Sequence, residues 1–480
     1  MEPVFPFALV LPRPAPDGLT RALHQQLRAA ILDGRLGAGT PLPATRRVAA
    51  ALGLGRNTVV AAYDLLVAEG YVQPRTGATA VVADLAHRRG SRSPHARGER
   101  RLDPAWSMPE LQPETPRILP ERSFRLGVPE HRLFPHDTWR RLNARALRRW
   151  SRAPFGYPPS EGLPELREAI ARHVALARAV ACSAGDVLVT SGAQQAFDLL
   201  ARLLVVPGRT RVAVENPGYP PLRAAFLAAG AQLVPVRVDD EGLCVDELPD
   251  DVRVVSVTPS HQSPTGVALS LPRRRALLAF ARRHDTLVVE DDYDGEFRFG
   301  GRPLDALQTL DREGRVFYVG TFSKSLFPAL RKGFVVAPEW ARAPLAAVKH
   351  CVDSHSDAIT QMVLADFLRE GHLARHVRRM RAVYDARRAA LLEAIAGPLG
   401  HWLEPMPSEA GLHLAARLRD PRDAPRVFAA ARRDAPGAQP TLDYAVAGVE
   451  PEPALAFGYG VIDAEAIAPA FARMRRVLLR

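Results

Sequence analysis

From Phe124 to the last residue, helical and β-type segments alternate along the chain. A chain with that alternation folds into a mainly parallel sheet covered by helices. Ligands of such sheets sit beyond the carboxyl ends of the strands. The loops that follow the β-type runs are therefore where chemistry is expected, and four of them are unusual.

Val187–Thr190 leads into Ser191-Gly192-Ala193-Gln194-Gln195, which opens a helix. Small residues at a helix start let free N–H groups meet a phosphate, although many strand-to-helix turns share this look. Arg211–Val214 leads into Glu215-Asn216-Pro217-Gly218-Tyr219-Pro220, whose prolines and glycine fix the loop and present Tyr219 as a stacking face. Thr286–Val289 leads into Glu290-Asp291-Asp292-Tyr293-Asp294. A carboxylate there suits a pyridinium nitrogen and Tyr293 a phenolate oxygen; a solvated acidic loop or a metal site would read the same way. Val316–Val319 leads through Thr321 and Ser323 to Lys324, with Arg331 seven residues on, suited to phosphate neutralisation.

Lys324 stands out because lysine is scarce. Of 64 basic residues, only Lys324, Lys332 and Lys349 are lysine. Arginine stays charged, whereas a buried lysine can lose its proton and attack a carbonyl. An amine, a carboxylate for a ring nitrogen, an aromatic stacker, a helix N-terminus and an arginine are together what pyridoxal phosphate requires. The lysine bonds the aldehyde, and the carboxylate keeps the ring protonated as an electron sink.

At 480 residues the chain exceeds one ordinary domain. A net charge of +12 points to an anionic partner, nucleic acid first, or to an arginine-rich proteome. Cys182, Cys244 and Cys351 are too few and too scattered for a disulfide framework or a metal pattern, so a reducing cytoplasm is expected and no metal site. The proline-rich start does not read as a signal peptide, and no apolar run reaches membrane-spanning length.

Residues 1–83 read as a separate unit. Leu19, Leu23, Leu27 and Ile31 mark an amphipathic helix stopped at Gly34. A short helix from about Pro43 to Leu52, a break at Gly53-Leu54-Gly55, a third helix from about Asn57 to Glu69, and strands Tyr71–Gln73 and Ala78–Val82 follow. This is a winged helix-turn-helix, whose third helix enters the major groove by its N-terminal end. Arg56, Asn57 and Thr58 at that end suit guanine, adenine and phosphate. Arg46 and Arg47 are placed for phosphates, and Arg75 and Thr76 at the hairpin tip for the minor groove. Residues 84–123, with six prolines between 94 and 120, read as a basic, irregular linker; as a coil it would reach about 35 Å.

Leu42-Pro43-Ala44-Thr45-Arg46-Arg47-Val48-Ala49, Leu54-Gly55-Arg56-Asn57-Thr58-Val59 and Ala68-Glu69-Gly70-Tyr71 resemble the DNA-binding domain of GntR-type bacterial regulators. That resemblance implies DNA contacts at Arg46, Arg56, Thr58, Thr76 and Gly77. Residues 124–480 resemble fold-type I aminotransferases. The residues that carry this are Tyr157-Pro158-Pro159, Gly162-Leu163-Pro164-Glu165-Leu166-Arg167, Ser191–Gln195, Glu215–Tyr219, Thr258–Gly266, Glu290–Tyr293 and Thr321–Leu326. The fusion is similar to the MocR subfamily of transcription regulators. The resemblance implies that Lys324 holds the cofactor, Asp291 its ring nitrogen, Tyr293 its phenolate oxygen and Tyr219 its face, with Ala193, Gln194, Ser323 and Arg331 on the phosphate. It also implies a homodimer that binds an operator.

Two departures shape the expected function. Ser263 stands where aminotransferases carry an asparagine bonded to the phenolate oxygen, which leaves that bond lost or taken by His261. Ala456 stands at the apparent place of the arginine that binds a substrate carboxylate, unless an arginine elsewhere, such as Arg223, supplies the contact. A buried carboxylate without a charged partner is costly. The expectation is a non-enzymatic regulator with pyridoxal phosphate as its signal, as in the vitamin B6-synthesis regulators of the PdxR type. The alternatives are sensing of an amine or amino acid through the bound cofactor, and an active aminotransferase with a vestigial DNA-binding unit.

Overall fold

The four-residue apolar spacing near the start of the chain becomes helix α1, Leu19–Leu32, with Leu23, Leu27, Ala30 and Ile31 buried. The computed structural model describes residues 4–7, 9, 11, 18–75, 78–84, 103–113, 119–152, 156–300 and 305–480. They divide into two compact units, Met1–Asp103 and Pro104–Arg480.

In the first unit, α2 (Thr45–Leu52) ends at Gly53, whose φ of 63° closes the turn to α3 (Arg56–Ala68). Only glycine takes that conformation without strain. Helix α2 starts two residues later than the sequence suggested, because Ala44 is extended and the Tyr63 hydroxyl donates to the Pro43 carbonyl at 2.9 Å. Leu27, Val48, Val59, Ala62, Leu66 and Val72 close a shared core. A fully buried aliphatic side chain of this kind contributes about 1.5–3 kcal/mol. Strands β1 (Val72–Arg75) and β2 (Ala78–Val82) pair antiparallel, with Arg75 opposite Ala78. Arg75 thus ends a strand instead of sitting in the turn. Thr76 and Gly77 lie outside the described residues.

Within the stretch read as irregular linker, Pro104–Ser107 and Pro109–Leu111 form single 3₁₀ turns. Each begins with a proline, at the position where a missing N–H costs nothing.

The second unit holds an eight-stranded sheet. Its strands are β3 (Val187–Thr190), β4 (Arg211–Asn216), β5 (Gln232–Asp239), β6 (Gly242–Leu243), β7 (Val254–Val257), β8 (Leu287–Asp292), β9 (Val316–Thr321) and β10 (Gly333–Val336). The order is β3-β10-β9-β8-β7-β4-β5-β6. Strands β4, β5, β7, β8 and β9 run parallel; β10 opposes both its neighbours, and β6 opposes β5. Successive side chains enter opposite faces: Phe317 and Val319 join the cluster with Phe197 and Leu200, whereas Val316 joins the one with Leu277 and Phe280. A second, antiparallel sheet is built from β11 (Leu403–Pro405), β12 (His413–Leu418), β13 (Gln439–Pro440) and β14 (Ala454–Gly458). The helices Ala424–Asp434 and Ala464–Leu478 add to its core. No helix among the described residues is long and apolar enough to cross a membrane.

Strands β4 and β9 run two residues further than hydropathy predicted, into Glu215-Asn216 and Gly320-Thr321, and β8 runs three further, into Glu290-Asp291-Asp292. The polar residues are buried, and each finds an internal partner or faces a cavity, so they extend the strands instead of ending them.

Candidate functional site

The acidic run at the end of β8 is divided residue by residue. Glu290 accepts from the N–H groups of Leu307 and Gln308 at 2.8 and 2.9 Å, and burial raises its pKa to about 7. Asp292 pairs with buried Arg178 at 2.6 Å and accepts from the Tyr318 hydroxyl at 2.7 Å. Asp294 receives the Leu412 N–H and faces His261. Asp291 and Asp292 each keep a buried Oδ1 without a partner among the described residues, but only Asp291 of the two lines the cavity. Burial, reinforced by Asp292, Asp294 and Glu215, pushes its pKa well above the carboxylate range. The solvated acidic loop is therefore ruled out, and one carboxylate of the run is left facing a cavity.

The cavity has a volume of about 300 Å³. All eight residues named from the sequence line it: Lys324, Asp291, Tyr293, Tyr219, Ala193, Gln194, Ser323 and Arg331. The Lys324 ammonium donates to the Gly127 carbonyl at 2.7 Å. Burial lowers its pKa against the pull of Asp294 and Asp291, which moves it towards the free amine. Gly127 has φ of 69°, and a Cβ there would lie 2.6 Å from the Lys324 Nζ. Helix α4 (Ala193–Leu204), whose first residues also line the cavity, begins after Gly192. Its first-turn N–H groups have no intrahelical acceptor. A Cβ on Gly192 would lie 3.0 Å from the Arg331 guanidinium carbon, so glycine lets the cation approach the helix start. Arg331 donates to the Ser191 carbonyl at 3.0 Å.

The lining also includes residues the sequence reading missed: Gly127 from the segment before the sheet, His413 from β12 and Tyr444 from the second sheet's loop. Only the isolated glycine in Leu126-Gly127-Val128-Pro129 offered a signal. Ser263 lines the cavity, whereas His261 does not; His261 sits behind Tyr293, with Nδ1 3.1 Å from the hydroxyl. Arg223 is not available for a substrate carboxylate. It donates to the carbonyls of Gly218, Tyr444 and Ala445 at 2.5–3.0 Å, and burial lowers its pKa to about 10. Ala456 is buried within β14. The lysine and arginine side chains of the lining are Lys324 and Arg331.

Gly127 is held by a buried ion pair three residues on. Glu130, 1% exposed, meets Arg387 at 2.5 Å and Arg132 at 2.7 Å, and its N–H donates to the Tyr384 hydroxyl. The other two lysines are internal as well. Lys349 pairs with Asp353 at 2.5 Å, and Lys332 lies 4.0 Å from Asp357.

In the first unit Arg46, Arg47, Arg56, Asn57 and Arg75 are exposed, and Thr58 is partly so. None of these arginines pairs with a carboxylate among the described residues. Arg56, Asn57 and Thr58 form the first turn of α3.

Residues 19–82 match the model of the bacterial regulatory proteins of the gntR family, and residues 126–432 that of aminotransferase class I and II. The probable rhizopine catabolism regulatory protein MocR of Rhizobium meliloti is 40% identical over 85% of this chain and 84% of its own. The pyridoxine biosynthesis transcriptional regulator PdxR of Corynebacterium glutamicum is 32% identical over 94% of each. Among solved structures, the α-aminoadipate aminotransferase LysN of Thermus thermophilus, with N-(5'-phosphopyridoxyl)-L-leucine bound, matches with a TM-score of 0.71 and 30% identity, over 80% of this chain and 98% of its own. With relatives this similar over nearly their whole length, the chain belongs to the MocR-type HTH transcription regulators, a gntR-family unit followed by an aminotransferase class I and II unit.

Proposed function

We propose that the chain is a cytoplasmic, homodimeric regulator that binds pyridoxal phosphate at Lys324, and that occupancy of this site is its signal. The carrying observation is that four strand-end loops meet in one cavity, where a lysine of lowered pKa stands with a buried carboxylate oxygen that lacks a partner. Such an oxygen suits a protonated ring nitrogen. Tyr293 would meet the phenolate oxygen and Tyr219 the ring face. Ala193, Gln194, Ser323 and Arg331 would hold the phosphate at the start of α4. When bound, the cofactor supplies an aldehyde and an electron sink. The chain's own part is to hold it, to exclude water and to keep Asp291 on the ring nitrogen.

With Arg331 and Lys324 both assigned to the cofactor, a second carboxylate in the cavity lacks a cation. This supports the cofactor itself as the signal, a reading in keeping with the pyridoxine biosynthesis role in the name of the C. glutamicum relative. A second reading, an amine reacting with the bound cofactor, is favoured by the catabolic role in the name of the R. meliloti relative. Occupancy shifts the protein between two states only if it binds them unequally. The test is binding to DNA upstream of the chain's own gene, with pyridoxal phosphate titrated at fixed salt. A changed affinity or footprint supports cofactor sensing; identical binding moves the signal to amines. Sustained turnover of an amino acid with a keto acid would instead support an enzyme.

On the DNA side, Arg46, Arg56, Asn57, Thr58, Arg75, Thr76 and Gly77 are proposed to face the operator. Arg56→Ala is expected to weaken specific binding by about 1–3 kcal/mol and to relax preference at one position. Arg46→Ala is expected to lower the salt slope by about one, with little change in preference. Fluorescence anisotropy across a salt series separates the two; unchanged affinity in Arg56→Ala would move the recognition helix elsewhere.

A further inference from the structure

His261, Asp294 and His413 are buried beside the cavity, and the cofactor contacts do not explain them. The Nδ1 atom of His261 lies 3.0 and 3.2 Å from the two Asp294 oxygens and 3.1 Å from the Tyr293 hydroxyl. Its Nε2 has no partner among the described residues. His413 packs against the ring at 4.3 Å between centroids, and Asp294 also accepts from Leu412.

These distances fix where the proton must be. A bare lone pair on Nδ1 would face both oxygens of a carboxylate in a dry site, so Nδ1 carries the proton. The same holds if the ring is doubly protonated. Because that N–H also faces Tyr293, the tyrosine oxygen is an acceptor on this side. Its own proton is then turned away from His261 and towards the cavity. Asp291, Lys324, Glu215 and Tyr444 are the remaining ionisable groups around Tyr293.

We infer that His261 and Asp294 form a positioning pair that locks Tyr293 as a hydrogen-bond donor into the cavity. The inference rests on the cofactor reading and deepens it. With serine at position 263, Tyr293 alone carries the contact to the phenolate oxygen that aminotransferases divide between a tyrosine and an asparagine. The pair is what keeps that single donor pointed correctly.

The full-length protein loaded with pyridoxal phosphate tests this through the pH midpoint of the visible band of the lysine-bound cofactor. Losing a donor to the phenolate raises that midpoint, by about one unit for a charge-assisted bond. His261→Leu is expected to raise it as far as Tyr293→Phe does, and the double variant no further. His261→Asn, which keeps an N–H near the Nδ1 position, is expected to restore most of the wild-type value. His261→Gln, which displaces the donor, substitutes for the leucine variant if that one does not fold. An unmoved midpoint in the leucine or glutamine variant, beside a moved one in Tyr293→Phe, overturns the pair; so do additive shifts. The ligand-type atoms of His261, Asp294 and His413 lie within 4.8 Å of one another. Stoichiometric metal removed by a chelator would therefore also overturn it, since a metal on Nδ1 displaces the proton. Should the wild type show no band and borohydride add no mass to Lys324, the cofactor reading itself falls.

Discussion

Lys324→Ala is expected to lose every trace of cofactor that borohydride can fix to the protein. Intact-mass measurement after reduction would show the added mass on the wild type alone. The size of this effect follows from the cavity. Lys332 and Lys349 are buried and paired, so neither amine can take over. Arginine has no free amine to offer. Non-covalent binding by Arg331, the α4 N-terminus and Asp291 would persist, weaker and faster to exchange. In the operator titration the variant is expected to respond little to pyridoxal phosphate. A variant that still responds fully would place the signal in non-covalent occupancy, and one that retains reducible cofactor would refute the assignment of Lys324.

Arg387→Leu is expected to destabilise the second unit by about 3–5 kcal/mol, the usual cost of leaving a buried charge without its partner. Glu130 is 1% exposed, and Arg387 also donates to the Gly460 carbonyl at 2.5 Å. All five tryptophans, at 106, 139, 150, 340 and 402, belong to the second unit. Urea unfolding followed by tryptophan fluorescence thus reports on that unit alone. The pH dependence has a defined sign. Burial raises the pKa of Glu130, but the guanidinium groups of Arg132 and Arg387 outweigh it and hold the carboxyl at about 2. A folded-state pKa below the unfolded value means stability present above about pH 4.5 and lost as pH falls towards 2. Without Arg387 the Glu130 pKa rises, so the stability it confers on the wild type between pH 7 and pH 4 is reduced or absent. Equal stability of the two proteins at pH 7 would show that Arg132 alone suffices.

The cavity was largely readable from sequence because its residues follow β-type runs, and strand ends of a parallel sheet are drawn to one edge. Lys324, Asp291, Tyr293, Tyr219, Arg331 and the start of α4 were all found this way. Strand limits were not readable. Glu215, Glu290 and Asp292 look like loop residues in a hydropathy pattern, yet each is buried and bonded to a partner that local sequence does not show. The same reason hid Glu130, His413 and the commitment of Arg223: Arg387, His261 and the carbonyls of Tyr444 and Ala445, which complete their surroundings, lie more than a hundred residues away. The helix-turn-helix was read almost whole because its contacts are local, and its limits moved by two residues where Ala44 and Arg75 take extended backbone.

The internal placement of all three lysines gives the molecule an unusual outer chemistry. Acylating reagents, amine cross-linkers and lysine-specific proteases meet a folded surface that offers guanidinium groups but no side-chain amine. Apart from the chain terminus, the one ε-amine they can reach stands inside the cavity. A mild amine-directed label should therefore report occupancy of that cavity directly, with a signal that fills or empties as its ligand leaves or enters.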